Sequence, residues 1–142
     1  MYKKAHQPKL GLFNKALVVD DEKLSRDIIS KALTRYLGCD IYTASNGVEA
    51  LSYLRSGEYD ILLLDFVMPG ISGFNLIQEI RLLKNDVSML IVTGNASDQD
   101  IKTLKEMGIN RIVYKPFKIS TLLEMVADAL FEKNILIAAP KY

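Results

Sequence analysis

Three aspartates, a threonine and a lysine carry the chemistry open to this chain: Asp20, Asp21, Asp65, Thr93 and Lys115. Each closes or directly follows a short apolar run. Asp20 and Asp21 follow Ala16-Leu17-Val18-Val19, and Asp65 closes Ile61-Leu62-Leu63-Leu64. Thr93 ends the run at 88–93, and Lys115 follows the run at 111–114. Each has a plain structural role open to it. Asp20 and Asp21 suit a helix cap, Asp65 a cap or turn, Thr93 a turn hydroxyl and Lys115 the surface. Their joint occurrence at four run ends points instead to one site. Three clustered carboxylates cannot stay bare, because like charges raise one another's pKa or require a cation. A hard divalent cation such as Mg2+ answers this, since it takes oxygen ligands and pairs one or two carboxylates with a phosphate. Lys115 adds a mobile point charge for an anionic oxygen, and Thr93 adds a donor. Such a set suits phosphoryl transfer to a carboxylate.

The elements that must position these groups follow from periodicity. Short apolar runs without alternation read as strands buried on both faces. They fall at residues 16–19, 61–64 (with Asp65 as the last residue), 88–93 and 111–114, and the β-forming stretch at 40–44 adds another. Between them lie helical patterns. Leu24, Ile28, Ile29, Ala32, Leu33, Tyr36 and Leu37 share one side of a 3.6-residue period, and Gly38 stops it. Ser45 or Asn46 caps the next helix, with Glu49 placed for a capping box. Residues 74–83 return to helical spacing, Ser97 or Asp98 caps a short helix ending at Met107-Gly108, and a last helix spans residues 120–133. Five β-α units predict an α/β fold with an open parallel sheet and helices on both faces. In such sheets ligands bind at the carboxyl ends of the strands, where these five residues stand.

Composition narrows the function further. The chain has 142 residues, 49% hydrophobic and 25% charged, with a net charge of +1. That suits one globular domain and offers no basic field for nucleic acid. The single cysteine, Cys39, and the single histidine, His6, leave no Ser-His-Asp, Cys-His or zinc centre. No run approaches the roughly 18 apolar residues of a membrane span, and the start has no signal-peptide core. A cytoplasmic setting is the expectation. Residues 1–13 read as a polar leader, 14–133 as the domain, and 134–142 as an apolar tail or the start of a linker. The tail leaves three readings open: cover for a homodimer face, extension of the last helix, or disorder.

With its pieces in order, the chain resembles the receiver domain of two-component response regulators, similar to the single-domain chemotaxis type. The pieces are Val18-Val19-Asp20-Asp21-Glu22, Ala44-Ser45-Asn46-Gly47-Val48-Glu49-Ala50-Leu51, Leu64-Asp65 to Met68-Pro69-Gly70, Ser72-Gly73, Val92-Thr93-Gly94 and Lys115-Pro116-Phe117. The resemblance implies a flavodoxin-like, doubly wound sheet with strand order 2-1-3-4-5. It implies Asp65 as phosphoacceptor and Asp21 as direct Mg2+ ligand, with Asp20 holding the ion through water. It implies the carbonyl of Val67 as a further ligand, and Thr93 and Lys115 as the grip on the phosphoryl group. The implied donor is a phosphohistidine on a sensor histidine kinase or histidine phosphotransfer protein, docking on the first helix and the loops around Asp65 and Lys115. Small phosphodonors are accepted in the family. An output partner would read the face of the fourth helix, fifth strand and fifth helix. The domain would act as a switch that catalyses its own phosphotransfer and dephosphorylation, without being an enzyme on a separate substrate.

Two departures stand out. The family's usual aromatic three residues before the lysine is Ile112 here, while Tyr114 falls on the same strand face by the two-residue period. The residue two after Asp65 is Val67, whose side chain cannot bond an attacking water, so slow dephosphorylation is expected. Val67 also stands where aspartyl-phosphate phosphatases carry a general acid, which disfavours that class. A flavin or nucleotide carrier lacks its Gly-rich loop here. A degenerate receiver acting only as an interaction module ranks below an active one, because every chemical group is present.

Overall fold

The computed structural model describes residues 14–83 and 86–138, and for 134–138 the backbone alone. The polar leader at 1–13 and the last residues, 139–142, lie outside the described residues. Five strands alternate with five helices: β1 (Lys15–Val19), α1 (Lys23–Leu37), β2 (Asp40–Ala44), α2 (Gly47–Ser56), β3 (Ile61–Asp65), α3 (Gly73–Leu83), β4 (Ser88–Thr93), α4 (Asp98–Glu106), β5 (Ile112–Tyr114) and α5 (Ile119–Ala138). The strands form one sheet in the order β2-β1-β3-β4-β5. Every pairing is parallel. This is the flavodoxin-like order that the resemblance implies.

The unbroken apolar runs work because both faces of the sheet are covered. Successive side chains of a strand point to opposite faces. Leu17, Val19, Leu62, Leu64 and Ile91 therefore join α2, α3 and α4 in one core, through Leu51, Leu54, Leu76, Ile77, Ile80 and Leu104. Ala16, Val18, Ile61, Leu63, Leu90 and Val92 join α1 and α5 in the other, through Ile29, Leu33, Leu122 and Val126. All five residues of β3 are buried. Each buried Leu or Ile contributes about 1.5–3 kcal/mol, so the central strands are the best anchored part of the molecule.

Local signals set the ends. Gly38 takes the left-handed conformation at φ 62° and closes α1, its N–H reaching the carbonyls of Leu33 and Thr34. Asn46 caps α2, its side chain accepting from the Glu49 N–H at 2.8 Å. Glu49 reaches back one residue beyond the expected box, to the N–H of Ser45 at 2.6 Å. Ser97, not Asp98, caps α4, in a reciprocal box with Asp100. Helix α5 runs without a break past residue 133 to Ala138, so the tail begins as helix. No described helix is long and apolar enough to cross a membrane.

Candidate functional site

The carboxyl ends of β1, β3, β4 and β5 meet at one edge, and all five expected residues stand there. Asp65 and Thr93 are the last residues of their strands, and Asp20 and Lys115 are the first beyond theirs. Register holds them level: Asp65 pairs with Val92, Val19 with Leu64, and Thr93 with Tyr114. Asp20 is 1% exposed, Asp65 6% and Thr93 0%, whereas Asp21 faces solvent. Burial of two carboxylates in one corner needs charge compensation.

Part of it comes from Lys115. Its Nζ donates to Asp20 Oδ2 at 2.8 Å and to Asp65 Oδ2 at 3.4 Å. Glu22 Oε1 lies 3.7 Å away on the solvent side. The Lys115 main chain is anchored as well, its N–H donating to the Thr93 carbonyl at 2.8 Å. Burial opposes the charged lysine, yet the Asp20 and Asp65 carboxylates hold its pKa above the ordinary 10.5. Asp65 moves upward too, for a different reason. Burial pushes its carboxyl above the ordinary 3.8 and Asp20 adds to the push; Lys115 and the Val67 N–H pull back without cancelling it. The two directions agree with the geometry, because the lysine makes its closer contact with Asp20 and leaves Asp65 only partly compensated.

Oxygens of Asp20, Asp21 and Asp65 lie within 4.8 Å of one another, one from each residue. An all-oxygen, triply acidic set at that spacing fits a hard divalent cation and is unlike the nitrogen and sulfur sets of zinc. The residues thus fit Mg2+.

The three buried site residues share one device. Each turns a side-chain oxygen back onto the N–H two residues ahead: Asp20 Oδ1 on Glu22 at 2.9 Å, Asp65 Oδ1 on Val67 at 3.1 Å, and Thr93 Oγ1 on Asn95 at 3.4 Å. Asp20 therefore shapes the loop before α1 and does not cap the helix. Glu22 takes the cap position, with no side-chain cap bond. The loop after Asp65 is held from beneath. The Phe66 ring packs edge-on against Phe74 at 4.7 Å, and Gly73 lies so close that a Cβ there would stand 2.5 Å from the Phe66 carbonyl oxygen.

Two neighbours of the site carry little or no signal in the sequence. Glu22 has only its adjacency to Asp21 as a sequence signal. Arg26 carries no signal in its spacing. It sits on the second turn of α1, and its Nη1 donates to the Asp20 carbonyl at 2.8 Å. At β5, Ile112 is 7% exposed and belongs to the core, while Tyr114 is 56% exposed.

Known proteins resemble this chain in sequence and fold. Residues 16–127 match the family described as the response regulator receiver domain. The chain is 37% identical over 101 residues to the transcription factor SKN7 of Saccharomyces cerevisiae, covering 71% of this chain and 16% of that protein. It is 34% identical over 119 residues to a chemotaxis protein CheY homolog of Campylobacter jejuni, covering 82% of this chain and 92% of the homolog. Among solved structures, chemotaxis protein CheY4 of Vibrio cholerae superposes with a TM-score of 0.77 at 28% identity, over 84% of this chain and 100% of that one.

Proposed function

The chain belongs to the response regulator receiver family of two-component signalling, and from that premise we propose that Asp65 accepts a phosphoryl group and that the modified domain switches partner binding. The donor is a phosphohistidine on a sensor histidine kinase or histidine phosphotransfer protein, or a small phosphodonor. The observation that carries this reading is the bridge of Lys115 Nζ between Asp20 and Asp65, set beside three carboxylates whose oxygens lie within 4.8 Å.

Asp20, Asp21, Asp65 and the main-chain carbonyl of Val67 are the groups that would hold Mg2+. When bound, Mg2+ offsets the charge of the acidic corner and of the phosphoryl oxygens. The chain's own residues do the rest. An ionised Asp65 oxygen forms a bond to phosphorus as the phosphorus–nitrogen bond of the donor breaks, and its electron pair stays on the imidazole nitrogen. No base is needed, because the nucleophile carries no proton. Thr93 Oγ1 accepts from the Asn95 N–H, which leaves its own hydrogen to donate to a phosphoryl oxygen. Lys115 leaves the carboxylates for the same group, where a compact ammonium is well matched. A partner that distinguishes the two arrangements then biases the equilibrium between them. The face formed by α4, β5 and α5, where Tyr114 is exposed, is the surface it would read.

Intact mass after acetyl phosphate treatment, with and without Mg2+, tests this. A gain of one phosphoryl group that needs Mg2+ and disappears in Asp65→Asn is the expected result. No gain from acetyl phosphate or a phosphohistidine donor would leave the domain as an interaction module.

A further inference from the structure

Arg26 does something that the phosphoacceptor reading does not require of it. Its guanidinium stands on α1, outside the ring of reacting groups, and donates to the main-chain carbonyl of Asp20 at 2.8 Å. That carbonyl belongs to the peptide joining Asp20 to Asp21. Clamping it sets the plane from which both carboxylates project. The same corner is tied at three other points: the Asp20 N–H donates to the Ala44 carbonyl at 3.1 Å, Asp20 Oδ1 accepts from Glu22, and the Arg26 N–H donates to the Glu22 carbonyl at 3.1 Å. Among these ties Arg26 supplies the only side-chain donor to the peptide itself. Asp20 is 1% exposed, so water is a poor substitute partner, and a buried carbonyl left unbonded is costly.

We propose that Arg26 is a positioning residue for divalent-cation binding, acting through the Asp20–Asp21 peptide. This rests on the Mg2+ reading of the acidic corner. Groups behind a metal's direct ligands commonly set its affinity by orienting those ligands. The sign of the effect separates this role from mere charge. Arg26 is a cation beside an acidic cluster, so if charge were its whole contribution, removing it would tighten Mg2+ binding. A positioning role predicts the opposite.

The test is a Mg2+ titration of the full chain by calorimetry and by amide shifts, with thermal melting to confirm folding. Arg26→Met is expected to weaken Mg2+ binding by roughly tenfold or more, and Arg26→Lys, which keeps the charge and a donor, to recover part of it. Unchanged or tighter binding in folded Arg26→Met overturns the proposal. Should that variant fail to fold, Arg26→Gln takes its place under the same two outcomes. A wild-type chain that binds no Mg2+ overturns the metal reading itself. Wild-type binding with an indifferent Arg26 overturns the positioning role alone.

Discussion

Asp65 is held in a state that costs the folded protein. Burial raises its pKa above the ordinary 3.8, so the native state binds its proton more tightly than the unfolded chain does. Its contribution to stability is fully present below that ordinary value and is lost as pH rises through the raised native pKa. Asp65→Asn removes the charge and keeps the shape. The metal-free variant should therefore be more stable than wild type at neutral pH by about 1 kcal/mol, a typical gain on relieving a functional site, with the gap closing as pH falls towards 4. Urea unfolding between pH 4 and pH 8 reads this directly. Val67 belongs to the same scale. Its apolar side chain, 45% exposed beside the site, offers nothing to an attacking water. Val67→Asn should shorten the life of the phosphorylated state several-fold, the effect of one neutral hydrogen bond worth about 1 kcal/mol, measured as loss of the phosphorylated mass with time.

Helices and loops show which constraints are hard. A Cβ at Gly73 would meet the Phe66 carbonyl oxygen at 2.5 Å, and backbone beneath a helix start cannot move aside. At Gly47 the obstacle at 2.5 Å is Ile71 Cγ2, the end of a side chain. Gly73→Ala should accordingly cost about 1–3 kcal/mol and Gly47→Ala clearly less, an ordering that paired urea titrations would check. Gly73 and Phe66 flank a single loop, whereas Gly47 and Ile71 belong to different β-α units, and neither approach follows from a helical or strand period. The strands and the edge residues were legible because they obey local rules: four apolar runs of strand length, each ended or directly followed by a polar group. Strand order was not contained in periodicity and came from the resemblance. Arg26 was illegible for the same reason as Gly73, since its partner is a main-chain carbonyl that any residue could have supplied. The capping details lay between. Ser97 and Asn46 were among the choices, but which oxygen meets which N–H depends on the approach angle of each helix.

For the molecule as a whole, Mg2+ should act as a stabiliser. A ligand that binds only the folded state at about a hundred times its Kd adds about 2.7 kcal/mol. Melting with and without Mg2+ should show this rise, and Asp21→Asn, at the solvent-facing carboxylate, should diminish it. The sheet order adds a consequence in time. Asp20 and Lys115 are 95 positions apart in sequence, and the lysine follows a strand of three residues at the sheet's edge. At about 5–20 residues per second, a ribosome would take roughly 5 to 20 seconds to go from the first of these residues to the second. Throughout that interval the nascent acidic corner lacks Lys115, the cation that bridges Asp20 and Asp65. The bridged carboxylate pair is therefore complete only once the last β-α unit is made, and on the proposed function a chain ending before Lys115 should accept no phosphoryl group.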